Sequence, residues 1–192
     1  SPDVSGVTVG NTPMETSGNH NLTGFNGRGE KITCPGWFVS VDYDFLRVFD
    51  VKLLRGRFFS PEHATDSRRA LVLNEAAVQA FGWDNALGQE VSAWRLGKAE
   101  IIGVIQDYHF QSLHQKIAPA ILFLNPDRTS RTYYNWWPAV SVKIRPGRVA
   151  AVVDLVRKTY DSFKTLDPLQ YEFLDDRFDR LYRNDQRFGT IF

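Results

Sequence analysis

The stretch from Ala70 to Ala120 constrains the fold more than any other part of the chain. Its runs of Val, Ile and Leu are short and bounded by turn residues, which is the spacing of strands rather than of long helices. Ala70–Leu73 reads as a strand. Asn74 can then accept a hydrogen bond from the open amides of a short helix, and Gly82 can take the left-handed conformation that ends it. A turn at Asn85–Gly88 follows, then strands separated by another turn, and a polar, aromatic exit from Gln106 to His114. Nothing in this block looks like a reaction centre, which tilts the reading away from an enzyme.

A chain of 192 residues is long enough for one domain or two small ones, and at this size it buries roughly 70% of its unfolded surface. With 43% hydrophobic and 23% charged residues the balance is globular rather than disordered. The 23 basic and 22 acidic residues nearly cancel, so the totals carry no electrostatic footprint for nucleic acid. Cys34 is the single cysteine, which excludes an internal disulfide and leaves the compartment open. No apolar run reaches the roughly 18 residues that a membrane helix needs. The chain opens Ser-Pro-Asp-Val and closes Gly-Thr-Ile-Phe, as expected of a piece excised from a longer protein.

Upstream of the central block, Asp3–Gly10 is expected as a strand and 11–31 as a long loop, with a hairpin tip at Gly27-Arg28-Gly29. Trp37–Val41 follows as a strand with Trp37, Val39 and Val41 on one face. Asp42 is placed to cap a short helix over Tyr43–Phe49, and Val51–Leu54 returns as a strand. Pro61 suits the start of a brief turn over Glu62–Ala64. Downstream, Ile121–Leu124 and Ala139–Ile144 are strands, the latter with Val140, Val142 and Ile144 inward. Val149, Val152, Val153, Val156, Tyr160 and Phe163 form one stripe of an amphipathic helix. Leu169–Leu174 reads as a strand, and Asp175 or Asp176 starts a last helix bearing Phe178, Leu181, Tyr182 and Phe188. The fold class is therefore α+β.

Each cluster with chemical potential has a plainer reading beside it. Asp107, His109 and His114 at a strand exit offer metal-ligand atom types, but without ligand spacing, and surface hydrogen bonding is the preferred reading. Cys34 beside Pro35-Gly36, in a loop, is an incidental thiol rather than a nucleophile paired with a histidine. Asp175-Asp176 diverge as neighbours do and suit a helix start, where the dipole favours negative charge. Gly24, Gly27 and Gly29 never form a phosphate loop between a strand and a helix. Asn21-Leu22-Thr23 fits the glycosylation triplet, which also arises by chance. Tyr133, Tyr134, Trp136 and Trp137 are the candidate contact for a partner or substrate, set against core packing by alternate residues. No catalytic residue, metal or cofactor is assigned.

The order Asn74-Glu75, Phe81-Gly82, Leu87-Gly88-Gln89 and Ile101-Ile102-Gly103-Val104-Ile105-Gln106-Asp107-Tyr108-His109-Phe110-Gln111-Ser112-Leu113-His114 resembles the extracytoplasmic core domain of MacB/FtsX-type ABC transporter permeases. Leu53-Leu54-Arg55-Gly56-Arg57-Phe58-Phe59 is similar to the segment that leads into this block, and the likeness runs from about Trp37 to Phe192. It implies two subdomains: a discontinuous porter-like one from 1–54 and 137–176, and a sabre-like one inserted at 55–136. Residues 177–192 would be a helix leading toward a membrane segment, with Phe178, Leu181, Tyr182 and Phe188 transmitting force. The resemblance further implies a location on the periplasmic side of a bacterial inner membrane. Implied partners are a cytoplasmic ABC ATPase, a second permease copy and a periplasmic or outer-membrane protein. The alternative is a free-standing ligand-binding module using 133–137; a weaker third is a hydrolase using Cys34 or His109.

Overall fold

A computed structural model describes residues 1–13, 19–93, 96–108, 116–125, 139–164, 167–177 and 179. Nine strands run β1 (Val4–Gly10), β2 (Asn19–Phe25), β3 (Lys31–Val41), β4 (Leu53–Gly56), β5 (Ala70–Asn74), β6 (Glu90–Ala93), β7 (Gly97–Ile105), β8 (Ala120–Leu124) and β9 (Ala139–Ile144). The helices are α1 (Phe45–Phe49), α2 (Asp66–Arg69), α3 (Glu75–Phe81) and α4 (Val149–Ser162). The α+β expectation holds.

Seven strands form one sheet in the order β4-β7-β5-β8-β3-β2-β6, and β6 pairs back onto β7. Six of them therefore close into a ring. Glu100 sits opposite both Ala70 of β5 and Glu90 of β6, so β6 and β5 lie on opposite edges of β7. β4 takes the other half of the β6 edge, opposite Gly103–Ile105.

Alternation along each strand sorts the apolar side chains into two layers. Leu22, Phe38, Leu71, Leu73, Ile101, Ile121 and Phe123 pack in one cluster together with Ala77 and Phe81 of α3. Val39, Val41, Val72, Ile105, Leu122 and Leu124 pack in the second, with Phe45 of α1 and Phe59. In β7 one extra residue separates the partners of Leu71 and Val72, namely Ile101 and Gly103. That bulge lets Ile101 and Val104 both face the first cluster while Ile105 faces the second.

Asn74 fastens the ring. It is fully buried, its Oδ1 accepts from the Ala77 and Ala120 amides at 3.0 and 2.8 Å, and its Nδ2 donates to the Ala118 carbonyl at 3.0 Å. One side chain thus caps α3 and also holds the entry of β8. Gly82 ends α3 at φ 63°, as expected of the left-handed cap.

Several expectations are corrected. Residues 19–25 are a strand, not a loop, because β2 finds a full antiparallel partner in β3 from Asn19↔Trp37 to Phe25↔Lys31. The hairpin tip does fall within Asn26–Glu30, where Asn26 Oδ1 accepts from the Arg28 and Glu30 amides at 2.9 Å. Val140 points outward, 64% exposed, rather than into a core. The strand expected over Leu169–Leu174 is not formed: 168–173 lie outside any sheet, and 174–177 are helical. β2, β3 and β4 share one sheet with β5–β8.

Replacing Asn74 by Ala leaves two amides and a carbonyl buried without this partner, and a loss of about 3 kcal/mol is expected from the orphaned groups together. Urea unfolding of Asn74→Ala against the parent chain measures it; a loss below about 1 kcal/mol contradicts the fastening role.

Candidate functional site

β1 and β9, which come before and after the seven sheet strands in the chain, form a separate antiparallel ribbon from Val4↔Ile144 to Gly10↔Ala139. The seam between this ribbon and the ring is where the buried polar groups gather. Asp42 lies just past the end of β3 and is buried. Its carboxylate accepts the Thr8 hydroxyl, the Val9 amide at 2.9 Å and the Asp44 amide at 3.0 Å. The expected helix cap is instead a clasp, since Thr8 and Val9 both belong to β1.

Asn11 makes a second tie, its amide donating to the Ser40 carbonyl at 2.8 Å and its Oδ1 accepting from the Ser40 amide at 2.7 Å. It takes over the edge of β3 where β2 stops at Trp37. Gly10 makes the approach close enough: at φ 154°, a Cβ there would meet the Ser40 carbonyl oxygen at 2.5 Å.

Charged side chains line the same seam further out. Arg47 of α1 donates to the Ser5 carbonyl at 2.7 Å and pairs with Asp44 at 2.9 Å. Lys143 of β9 pairs with Asp50, the left-handed residue that ends α1. Arg148 reaches Asp3 at 3.3 Å, and the Arg145 amide donates to the Asp3 carbonyl at 3.0 Å. The exposed pairs contribute little individually; the buried Asp42 acceptor dominates.

The other residues singled out from the sequence do not converge on this seam. Asp107 caps α3, its Oδ1 accepting from the Ala76 amide at 2.9 Å while its own amide donates to Glu75 at 3.0 Å. His109 and His114 lie outside the described residues. Among the described residues no group of three or more His, Cys, Asp and Glu is placed to hold a metal ion. Cys34 is not in a loop but in β3 opposite Leu22, inside the first cluster. Pro35 is tolerated beside it because pairing with β8 begins only at Trp37. Burial pushes the Cys34 thiol above its ordinary range, which disfavours the thiolate a nucleophile needs. Asp175 and Asp176 are exposed in the helical turn at 174–177. Tyr133, Tyr134, Trp136, Trp137, Phe178, Leu181, Tyr182 and Phe188 all lie outside the described residues.

Two structural sites escaped the sequence reading. Trp83 stacks on Phe81, centroids 4.2 Å apart, and donates to the Phe25 carbonyl at 2.7 Å, joining β2 to α3. Arg57 grips the buried Asp66 through its Nη1 and Nη2 at 2.7 and 2.8 Å, and the hydrogen bonds to Asp66 raise the guanidinium pKa further. Neither pair has a local spacing signal.

Residues 2–159 match the family described as MacB-like periplasmic core domain. The chain belongs to that family. The MacB-like core domain also shares its fold with three solved structures, each at 16% identity. The periplasmic region of MacB from Actinobacillus actinomycetemcomitans aligns with TM-score 0.60 over 85% of this chain and 69% of that one. A domain of a putative permease protein from Porphyromonas gingivalis aligns at 0.58, over 92% and 83%. The extracellular domain of the noncanonic ABC-type transporter YknZ from Gram-positive bacteria aligns at 0.52, over 83% and 78%. No curated protein matches the chain. This MacB-like core domain is thus an extracytoplasmic domain of an ABC transporter permease. Among its described residues no helix is long and apolar enough to cross a membrane.

Two measurements bear on the seam and on Cys34. Asp42→Ala is expected to cost about 2 kcal/mol by leaving the Val9 and Asp44 amides without their acceptor, and to speed amide exchange in β1 more than in β8; equal effects on both strands would contradict a clasp. Because the raised thiol pKa of folded Cys34 makes the folded state hold its proton more tightly, its contribution to stability is fully present below the ordinary value of 9.0 and is lost as pH rises through the folded value. The stability measured by urea denaturation is therefore expected to fall more steeply from pH 8 to 10 for the parent than for Cys34→Ala; parallel curves would remove the burial effect.

Proposed function

We propose that this domain transmits ATP-driven motion from the membrane helices of its permease to substrate export, extraction or activation of a partner. One observation carries the reading: β1, at the start of the chain, is paired with β9, which comes after the whole ring, and their ribbon is clasped to the ring through Asp42 and Asn11. Motion entering through either flank passes into the ribbon and from there into a closed sheet that resists deformation. The ring's two packed layers favour movement as a unit.

In this reading a separate cytoplasmic ATPase performs the hydrolysis, the permease works as a dimer in a bacterial inner membrane, and a periplasmic or outer-membrane protein receives the displacement. The mechanical division follows the pairing, with β1, β9 and α4 in a porter-like unit and the seven-stranded sheet of β2–β8 as the body that moves. We assign to 177–192 a helix whose Phe178, Leu181, Tyr182 and Phe188 pass displacement between membrane and ribbon. The four aromatics Tyr133, Tyr134, Trp136 and Trp137 are the proposed contact for substrate or partner.

Tyr182→Pro in the full-length permease tests this, since proline in a helix interior removes a hydrogen bond and breaks the rod. ATP hydrolysis by the partner ATPase is expected to persist while the export phenotype of a strain carrying the variant falls at least about tenfold, as a helix break of roughly 3 kcal/mol permits, and Tyr182→Phe keeps both. Export preserved in Tyr182→Pro overturns the proposal.

A further inference from the structure

Asn26 and Gly27 stand at the tip between β2 and β3, and theirs is the one Asn-Gly step in the chain. Asparagine is a thermolabile residue. A glycine after it leaves the next backbone nitrogen unshielded, one five-membered ring away from the asparagine's own side-chain carbonyl carbon. Packing demands that glycine here. A Cβ at position 27 would meet the Gly82 carbonyl oxygen at 2.1 Å, so the tip lies against the end of α3 only without a side chain. The fold therefore retains the residue that favours ring closure.

The two groups that would react are treated in opposite ways. The carbonyl is activated: Asn26 Oδ1 accepts from the Arg28 and Glu30 amides, each at 2.9 Å, while Nδ2 donates to the Glu30 carboxylate at 2.9 Å. Two amides on one oxygen stabilise the negative charge it takes up when its carbon is attacked. The nucleophile is restrained, because the Gly27 amide donates to the Phe81 carbonyl at 3.2 Å. With its proton engaged and its direction fixed, that nitrogen faces α3 and not Cγ of Asn26.

Activation and restraint come from different parts of the chain. Asn26, Arg28 and Glu30 all travel with the hairpin, as do the bonds from the Asn26 amide to the Glu30 carbonyl at 2.8 Å and from the Gly29 amide to the Asn26 carbonyl at 2.9 Å. Phe81 ends α3, and Trp83, whose indole donates to the Phe25 carbonyl at 2.7 Å, follows it. The restraining bond is the longest of these and sits at the long end of the ordinary range. Lifting the tip off α3 thus frees the nucleophile and leaves the carbonyl activated.

We propose that Asn26 is a self-modification site gated by docking of the hairpin tip on α3: docked, it is stable; lifted, it closes a succinimide. The Gly27 nitrogen gives its proton to water and bonds to Cγ of Asn26; the Cγ–Nδ2 bond breaks, and ammonia leaves after taking up a proton. Water then opens the ring at either carbonyl, giving aspartate or isoaspartate, with no oxidation or reduction. The tip gains a negative charge beside Glu30, and isoaspartate also lengthens the backbone by a methylene. Gly27 then no longer lies where Phe81 receives its amide, so a lift that reacts is recorded permanently. Neither step depends on how the domain works in its transporter.

Peptide mapping by mass spectrometry of the 192-residue chain, incubated at one alkaline pH, counts succinimide and isoaspartate at Asn26. The folded parent is expected to convert at least about tenfold more slowly than the same chain unfolded in urea. Trp83→Phe keeps an aromatic ring but loses the donor to Phe25, and is expected to convert about fivefold faster than the parent, the factor that one neutral hydrogen bond sets, with amide exchange in β8 unchanged. Urea below the unfolding transition is expected to leave the parent's rate nearly flat, as an opening that exposes little surface requires. Equal rates in the folded and unfolded parent overturn the gate, and that comparison stands even if Trp83→Phe fails to fold. A parent rate that climbs with urea as steeply as global unfolding overturns it too, as does a folded Trp83→Phe that converts no faster than the parent.

Discussion

The fold depends on a single buried amide. Asn74 stands at the end of a strand and the start of a helix, and its three hydrogen bonds reach α3, the residue before Pro119 and the first residue of β8. Without it, two strands that neighbour each other in the sheet but lie far apart in sequence would meet over open donors, which a dry interior penalises heavily. Asp107 and Glu75 reinforce the same corner, the Asp107 carboxylate accepting from the Ala76 amide and the Glu75 carboxylate from the Asp107 amide. The exit of β7, the start of α3 and the entry of β8 are therefore fixed at one point. The apolar clusters fill the space that this corner defines.

What the sequence made legible was what local chemistry decides. The strand ending in Asn74, the cap, the short helix and its left-handed Gly82 all follow from neighbouring residues. β2 was not legible because, of its seven residues, only Leu22 and Gly24 are buried, so its alternation is faint. Its identity as a strand comes from β3, which pairs with it along its whole length. Asp42 misled for a related reason: its decisive partner, Thr8, is 34 residues away, while the nearby Asp44 amide alone suggests a helix cap. The aromatic cluster at 133–137 was singled out by density alone, and that density carries no information about placement.

Ribbon and ring are built on different principles. The ring is held by two apolar layers and is largely without polar groups inside, whereas the ribbon is held to it by a buried carboxylate, an asparagine and a fringe of surface charge. Polar ties are directional, so they fix register and orientation at a seam where a greasy contact would permit sliding.

The antiparallel sense of β1 and β9 also has a mechanical meaning. Val4 lies opposite Ile144, so the chain leaves the ribbon at one and the same end through both strands. Its ladder bonds run across the strands. Pulling the two leads apart would open those bonds one after another, like a zip, and needs little force at any moment. Displacing both leads in the same direction loads none of them. A ribbon of this kind is stiff toward joint movement of its two leads and yields first when they are drawn apart.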